Sequence, residues 1–402
     1  MDAHPVDLDS PFAPRSFLIR LSAGILILNL FVILMAVVSL RQSWRNHQDR
    51  AIVTGQNLAQ VLDRYVADTF IRADVAVLAV KDEVERSVAG PKGDRRDLDA
   101  FIRRQYERVP GLLALRTTDA KGMIDHGSGV GGGTSVSVAD REHFIRLRDL
   151  PEAGVVISKP IFGRLTGTWV IILARRLEGP DHSFAGMVHA VIGLDQFSQA
   201  FSSLDVGPHG SVALRNLELE LIARHPEPVA AGTGVGQKVI STEFSAFAQS
   251  GQSMGIYRAR TPFDHVQRTF AIRRVTGQPF YVLVGLAEQD YLAGWCREAV
   301  QELTEVALFT CLTLVASWLM HRAWQRQQVV HENLRNLLAE VKTLGGMLPI
   351  CSHCKKIRDD KGYWNQIEAY LNEHTDAEFT HGICPECAKE VFPRSSGKHP
   401  SI

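Results

Sequence analysis

A chain of 402 residues has room for two or three domains, each able to bury its own core. Its 44 basic and 44 acidic side chains cancel, which removes any global charge argument for a nucleic acid or acidic polymer as partner. No cysteine precedes Cys296, so a disulfide framework is excluded over most of the chain, whereas four of the six cysteines crowd into residues 351–387.

The first apolar segment runs over residues 21–40, interrupted only by Asn29 and small hydroxyls. At about 1.5 Å per residue it spans roughly the 30 Å of a bilayer's hydrocarbon core. No clean small-residue cleavage site follows, so the sequence predicts an uncleaved signal anchor rather than a removed leader. A second segment occupies 299–320, with Glu302 and Glu305 at its start and His321, Arg322 and Arg326 after its end. That asymmetry puts the C-terminal side in the cytoplasm. Around the first segment, Arg15 and Arg20 are outnumbered by Arg41, Arg45 and Arg50, which slightly favours the opposite orientation. The second segment decides, because two spans place both termini on one side and clustered cysteines suit a reducing compartment. The expectation is a two-pass protein of a bacterial inner membrane, with residues 1–20 cytoplasmic and 41–298 outside the cell.

Beyond the first span, Ile52, Leu58, Val61, Leu62, Val66, Phe70 and Val75 recur at steps that suit a long stalk helix. "GLLALRTTDAKGMIDHG" reads as strand, turn and strand, and "VVISKPIFGRLTGTWVIILARRL" as a hairpin around Gly163–Gly167. "FAGMVHAVIGL" adds a strand and "DQFSQAFSSL" a helix. The theme then repeats: "SVALRN" and "LELIAR" as strands, "ISTEFSAFAQS" as a helix, and "SMGIYRAR", "VQRTFAIRRV" and "FYVLVGL" as three more strands. Antiparallel strands with helices on one face, used twice, predict an α+β pair of modules, over 41–205 and 206–298.

The order of anchor, long helix, "ADREHFIRLRD", "VVISKPIFGRLTGTWVIILARR", "FAGMVHAVIGLDQF" and "QRTFAIRRVTGQPFYVLVGL" resembles the double-Cache, PAS-like extracytoplasmic sensor domains of bacteria. The resemblance covers residues 45–298, and its most specific piece is Asp140-Arg141-Glu142-His143-Phe144. It implies that the membrane-distal module holds a small carboxylate, amino acid or amine. Family members usually carry an aromatic pair in this motif, and His143 takes one of those positions here.

A small anion needs fixed positive charge and hydrogen-bond donors inside a mostly apolar cup. Arg141 can offer a two-pronged guanidinium, and Phe144 a wall three residues on. Lys159 is a second cation, and Trp169, Arg175 and His189 complete the candidate set, although each of these cations also suits a solvated face or a satisfied core position. Alternation along a strand puts Trp169 and Arg175 on one face and Thr168 on the other, so only one of those sets can line a pocket.

After the second span, Val330, Leu334, Leu337, Val341, Leu344 and Leu348 form a short heptad stripe, which predicts a coiled-coil linker over 321–346 and a homodimer. The module at 347–393 follows Gly345-Gly346. Cys351 and Cys354 form one pair with a two-residue gap and Cys384 and Cys387 another, a spacing that suits one tetrahedral structural zinc ion. A helix is expected over "GYWNQIEAYLNEH", with Tyr363, Trp364, Ile367 and Leu371 as its apolar face. This stretch is similar to a small C-terminal module of bacterial receiver- and PAS-containing signalling proteins, matching over 344–393 and typically opening "LPICxxCKKIRDDxGYW"; the likeness implies a signalling context. Residues 394–402 read as a disordered tail.

The sequence therefore predicts a transmembrane signal-transduction sensor rather than an enzyme. It would bind a small extracytoplasmic ligand and act through contact between its zinc module and a cytoplasmic signalling protein. A redox-sensing zinc/thiol switch, or a membrane-anchored zinc enzyme, is the alternative.

Overall fold

The computed structural model describes residues 14–89, 95–128, 136–228, 234–344, 348–359, 361–374 and 378–391. The expected tail at 394–402, most of the N-terminal segment before the first span, and Gly345-Gly346 lie outside those residues. The chain divides into a unit spanning Ile27–Thr310 and a second containing the described residues on either side.

Helix α1 runs without a break over Pro14–Ala89, carrying the first apolar segment and the stalk in one element. Ala51, Gly55, Ala59, Leu62, Val66, Phe70, Ala73, Val77 and Val80 are buried at steps of three and four, a single stripe down one face. Val61 and Val75 fall off that stripe and are exposed.

The first module is an antiparallel sheet of β1 (Leu112–Thr118), β2 (Ile124–Gly127), β3 (Val155–Ile157), β4 (Ile161–Phe162), β5 (Trp169–Glu178) and β6 (Phe184–Gly193), ordered β2-β1-β6-β5-β3 with β4 also on β5. The second contains β7 (Ser211–Asn216), β8 (Leu221–His225), β9 (Met254–Arg260), β10 (Gln267–Arg274) and β11 (Phe280–Ala287), ordered β8-β7-β11-β10-β9. The orders are equivalent: in both, the first and last strands of the module sit side by side at the centre. Helix α3 (Glu142–Asp149) belongs to the first module and α5 (Thr242–Gln249) to the second, with α4 (Asp195–Ser202) between them. Helix α2 (Arg95–Glu107) was not expected; its polar sequence hides a short stripe of Leu98, Phe101 and fully buried Ile102.

Both modules are fastened to α1. Phe70, fully buried, lies 4.7 Å from the Phe280 ring of the second module and 6.3 Å from that of Phe197 on α4. Two carboxylates of α1 add directional ties. Asp74 takes both prongs of Arg175 on β5, at 2.6 and 2.8 Å. Asp63 accepts from Arg273 Nε and from the Thr276 backbone N–H, each at 2.8 Å, and from the Thr276 hydroxyl at 3.1 Å.

Helix α6 (Glu288–Leu344) starts on the residue after β11, so the last strand of the second module feeds directly into it. Near its start it lies beside α1, where Trp295 Nε1 donates to the Leu40 carbonyl at 3.1 Å and the Ser43 hydroxyl donates to Glu298 at 2.7 Å. Both α1 and α6 contain apolar windows long enough to cross a membrane; 11% of the window in α1 is buried and none of that in α6. Val330, Leu334 and Leu337 are exposed along α6.

In the C-terminal region, β12 (Ile357–Arg358) and β13 (Trp364–Asn365) form a small hairpin, followed by α7 (Ile367–His374) and α8 (Pro385–Val391). The helix expected from Gly362 onward begins only at Ile367. Asp359 takes the backbone N–H groups of Lys361 and Tyr363 at 3.1 and 2.8 Å, and Gly362 adopts φ +90°, which together turn the chain into a strand at Trp364.

Candidate functional site

The first sheet has two apolar faces. Leu115, Ile171, Leu173, Val188, Ala190 and Ile192 join the cluster that includes the buried stripe of α1. On the other face, Ala114, Val170, Ile172, Ala174, Met187 and Val191 pack with Phe144 and Leu147 of α3. Beside α3 on that second face a cleft opens, with about 440 Å³ of empty space, part of it open to solvent.

Arg116 on β1 and His189 on β6 are cross-strand partners in the cleft wall, and both are buried. Arg116 Nε donates to the Ser128 carbonyl at 2.6 Å. His143 enters from the first turn of α3, while Arg141, the N-cap residue of that helix, reaches over to donate to the Phe162 carbonyl at 3.3 Å. Arg164 and Thr166 come from the turn between β4 and β5. Arg164 forks onto Asp140 at 2.6 and 2.8 Å and donates to the Ser137 carbonyl at 2.7 Å, so it clips that turn to the segment leading into α3. Val138, Ile161, Val170, Ile172 and Val191 supply apolar wall, and no carboxylate is among the lining residues.

Burial governs the electrostatics. It pushes His143 down to about 4, helped by the charge of Arg141 and opposed by Asp140. It pushes His189 down to about 3, helped by His143 and Arg116. Both imidazoles are therefore neutral at pH 7 and able to donate one hydrogen bond and accept another. Burial also lowers Arg116, which stays cationic at any ordinary pH. His189 Nδ1 and the Thr166 and Thr168 hydroxyls are buried without hydrogen-bond partners among the described residues. Such orphaned groups are costly unless something polar occupies the space they face.

The candidate residues separate. Arg141 and His189 meet in this cleft. Phe144 lies beneath it as core, packed edge-on against Phe184 at 5.3 Å. Trp169 and Arg175 share a face of β5, but it is the one opposite the cleft, because Val170 and Ile172 take the cleft side. Arg175 is committed to Asp74, and Trp169 sits against Phe162 at 6.0 Å, largely exposed. Lys159 lies in a separate groove between the modules, pairing with Glu218 at 3.4 Å and Glu142 at 4.0 Å. The residues not foreseen are Arg116, His143 as a cleft group, Arg164 and Thr166. The available signal was Arg116 itself, a lone cation inside the apolar run "LLALRTT".

The four clustered cysteines stay in their two pairs. The Cys351 N–H bonds to the Lys356 carbonyl at 2.8 Å and the Lys355 N–H to the Cys351 carbonyl at 3.0 Å, a tight knuckle with Lys355 at φ +58°. Backbone N–H groups of Cys354 and His353 hold the Cys351 thiol below its usual range, and those of Cys387 and Glu386 do the same for Cys384. Thiolate-favouring knuckles suit a thiophilic metal. Among the described residues, however, no three potential ligands converge.

Residues 194–285 match the dCache_1-like family, described as a histidine kinase sensor domain. Among solved structures, an extracellular domain assigned to the histidine kinase rpHK1S-Z16 is 26% identical, with a TM-score of 0.54, and the match covers 62% of this chain and 99% of that one. The periplasmic sensory domain of the Campylobacter jejuni chemoreceptor Tlp1 matches with a TM-score of 0.50 at 10% identity, over 61% of this chain and 98% of its own. The ligand-binding domain of the Campylobacter jejuni chemoreceptor Tlp3, in complex with 4-methylisoleucine, gives a TM-score of 0.46 at 10% identity, over 60% and 93% of the two chains. No curated protein sequence matches. The sensor-domain resemblance read from the sequence is thus met in the family match and in the fold.

Proposed function

We propose that this chain is a two-pass membrane receptor whose extracytoplasmic body binds a small carboxylate lacking an ammonium group in the cleft of its first, membrane-distal module. The observation that carries this reading is the charge balance of the cleft: among the described residues Arg116 and Arg141 face it without an ion-paired carboxylate, each bonded to a carbonyl, and no described carboxylate lines it. Two guanidiniums can take a carboxylate through charge-assisted bonds, and a neutral His189 can donate or accept beside them. An amine, or the ammonium of an amino acid, would meet two guanidiniums and no carboxylate among the described lining residues. The likeness to an extracellular histidine kinase domain over its full length supports placing the body outside the cell.

A ligand shifts a conformational equilibrium only by its differential affinity for the two states. Here the binding strands lie in a sheet tied through Arg175–Asp74 to α1, and α1 is tied again through Asp63 to the strand that precedes β11 and α6. A carboxylate that draws the Arg164 turn and the start of α3 together would re-seat the first sheet on α1, and the shift would pass to α6 through the second module. The exposed stripe of Val330, Leu334 and Leu337 supports pairing of two copies through α6, and the C-terminal region would then signal by contact with a cytoplasmic protein. The knuckle geometry of Cys351, Cys354, Cys384 and Cys387 supports one structural zinc ion, provided the pairs close on it. Metal analysis of the purified chain should find about one equivalent of zinc; substoichiometric metal, with thermal unfolding indifferent to chelator, removes the ion from the proposal.

The binding test uses the full chain in lipid nanodiscs and a thermal-shift series of acetate, succinate, alanine and methylamine. Stabilisation by a carboxylate, lost in Arg141→Ala and in Arg116→Met, is the expected result. Stabilisation by methylamine alone, or carboxylate stabilisation equal in both variants, overturns the reading.

A further inference from the structure

The second module contains a cleft in the equivalent place. It opens on the face of its sheet that carries Phe244 of α5, as the first opens beside α3, and has about 400 Å³ of empty space, part of it open to solvent. Arg215 lies on β7, the first strand of this module, opposite Tyr281 on the last strand; Arg116 holds the corresponding position opposite His189. Arg215, Arg224, Ser241 and Tyr257 are among the polar lining residues, and Phe244, Phe263 and Phe270 supply aromatic walls.

Charge is unevenly met here. Arg268 holds both oxygens of Asp264, at 2.7 and 2.8 Å, and Arg224 shares that carboxylate at 3.3 Å. Arg215 is 3% exposed and donates only to carbonyls, those of Leu219 and Val239 at 2.6 Å and of Gln237 at 3.5 Å. No carboxylate among the described residues pairs with it. A guanidinium kept in an apolar, aromatic pocket with neutral partners alone is short of one negative charge.

We propose that this cleft is a second binding site, taking one small monocarboxylate with an apolar or aromatic body. The carboxylate bonds to Arg215 and the body lies among Phe244, Phe263 and Phe270. The carboxylate is placed on Arg215 because Arg224 already shares Asp264 with Arg268. Tyr257, whose hydroxyl burial holds protonated, lies beside Arg215 in a hydrogen bond with Ser241. Each module would then hold its own carboxylate, so the α1–α6 framework could integrate two inputs.

Equilibrium dialysis of labelled benzoate against the full chain in nanodiscs tests this. Wild type should bind saturably, and Arg141→Ala, which disables the cleft of the other module, should retain saturable binding. Arg215→Met should weaken binding roughly tenfold or more, the loss of one charge-assisted bond. Because Arg215 also ties down the segment after β8, Ala213→Leu serves as the second variant: it adds bulk at the cleft wall and removes no group that bonds Arg215. Loss of the binding that Arg141→Ala retains once Ala213→Leu is added to it, with unchanged thermal unfolding, is the expected result. Absence of saturable binding in the wild type overturns the proposal, and so does binding that survives Ala213→Leu but fails in Arg141→Ala.

Discussion

The two modules share a strand order and a buried arginine on the first strand, yet they surround that arginine differently. In the first module the neighbours are histidines and a clipped turn, Arg164 on Asp140. In the second they are aromatic rings and a crowded Arg–Asp–Arg cluster. A repeated fold thus sets where a ligand can sit, and the side chains that cover it set which chemistry is welcome. The contrast has force only if the modules act as one body, and the backbone says they do through α1.

Phe70 is the hardest test of that unity. Its ring lies against Phe197 of α4 and Phe280 of β11 and shares one apolar cluster with Leu115 and Ile171 of the first sheet, and Phe70→Ala should destabilise the chain by about 3–5 kcal/mol. Hydrogen exchange should then quicken together in β1 and β11. Quickening confined to one module would mean that each rests on the helix independently.

The paired carboxylates come next. Asp63 is 4% exposed where it serves the second module, against 25% for Asp74, which serves the first. Removing the deeper one strands a guanidinium, a backbone N–H and a hydroxyl, so Asp63→Ala should lose about 2–4 kcal/mol and Asp74→Ala about 1–2 kcal/mol in denaturant unfolding. Equal losses would erase the difference in how firmly the two modules are held.

These ties mark the limit of what the chain disclosed as a string. Modules, stalk and cysteine pairs were legible because apolar spacing and Cys-x-x-Cys spacing are local. The cleft face of β5 was not. "WVIILARR" is buried on both sides, so no polar alternation distinguishes Val170 and Ile172 from Ile171 and Leu173. What decides is Asp74, 101 residues upstream in sequence, claiming Arg175 for the helix side. The place of Lys159 was hidden for a similar reason: its carboxylate partner, Glu218, belongs to the next module. Arg116 was legible in principle, as a cation inside an apolar strand.

Acid should separate the modules more gently. His143 and His189 titrate at about 4 and about 3 when folded, below the 6.5 of an exposed imidazole, so the unfolded chain binds more protons between those values. Stability is therefore complete above about pH 6.5 and falls as pH drops toward 4. His189→Asn should flatten this acid limb of the thermal midpoint. A bound carboxylate would stabilise the imidazolium forms, so succinate should raise the midpoint more at pH 5.5 than at pH 7.5, whereas benzoate at the second cleft, which has no histidine lining, should not share that trend. Parallel pH responses for the two ligands would mean that the histidines do not report on the first cleft.

The smallest expected effect belongs to Lys159, and its smallness is informative. It is the most exposed of the candidate cations, 44% open, and its partners Glu142 and Glu218 are more exposed still. Those carboxylates hold its ammonium above the usual range, with the bond to Glu218 the larger cause. In water such a pair gains little over its separated ions. Lys159→Ala should therefore leave both succinate and benzoate affinity unchanged and shift thermal unfolding by no more than the scatter between preparations. A clear loss of succinate binding in Lys159→Ala would place the ligand in the groove between the modules, where Arg146 is the other cation, and would dissolve the distinction between two separate clefts.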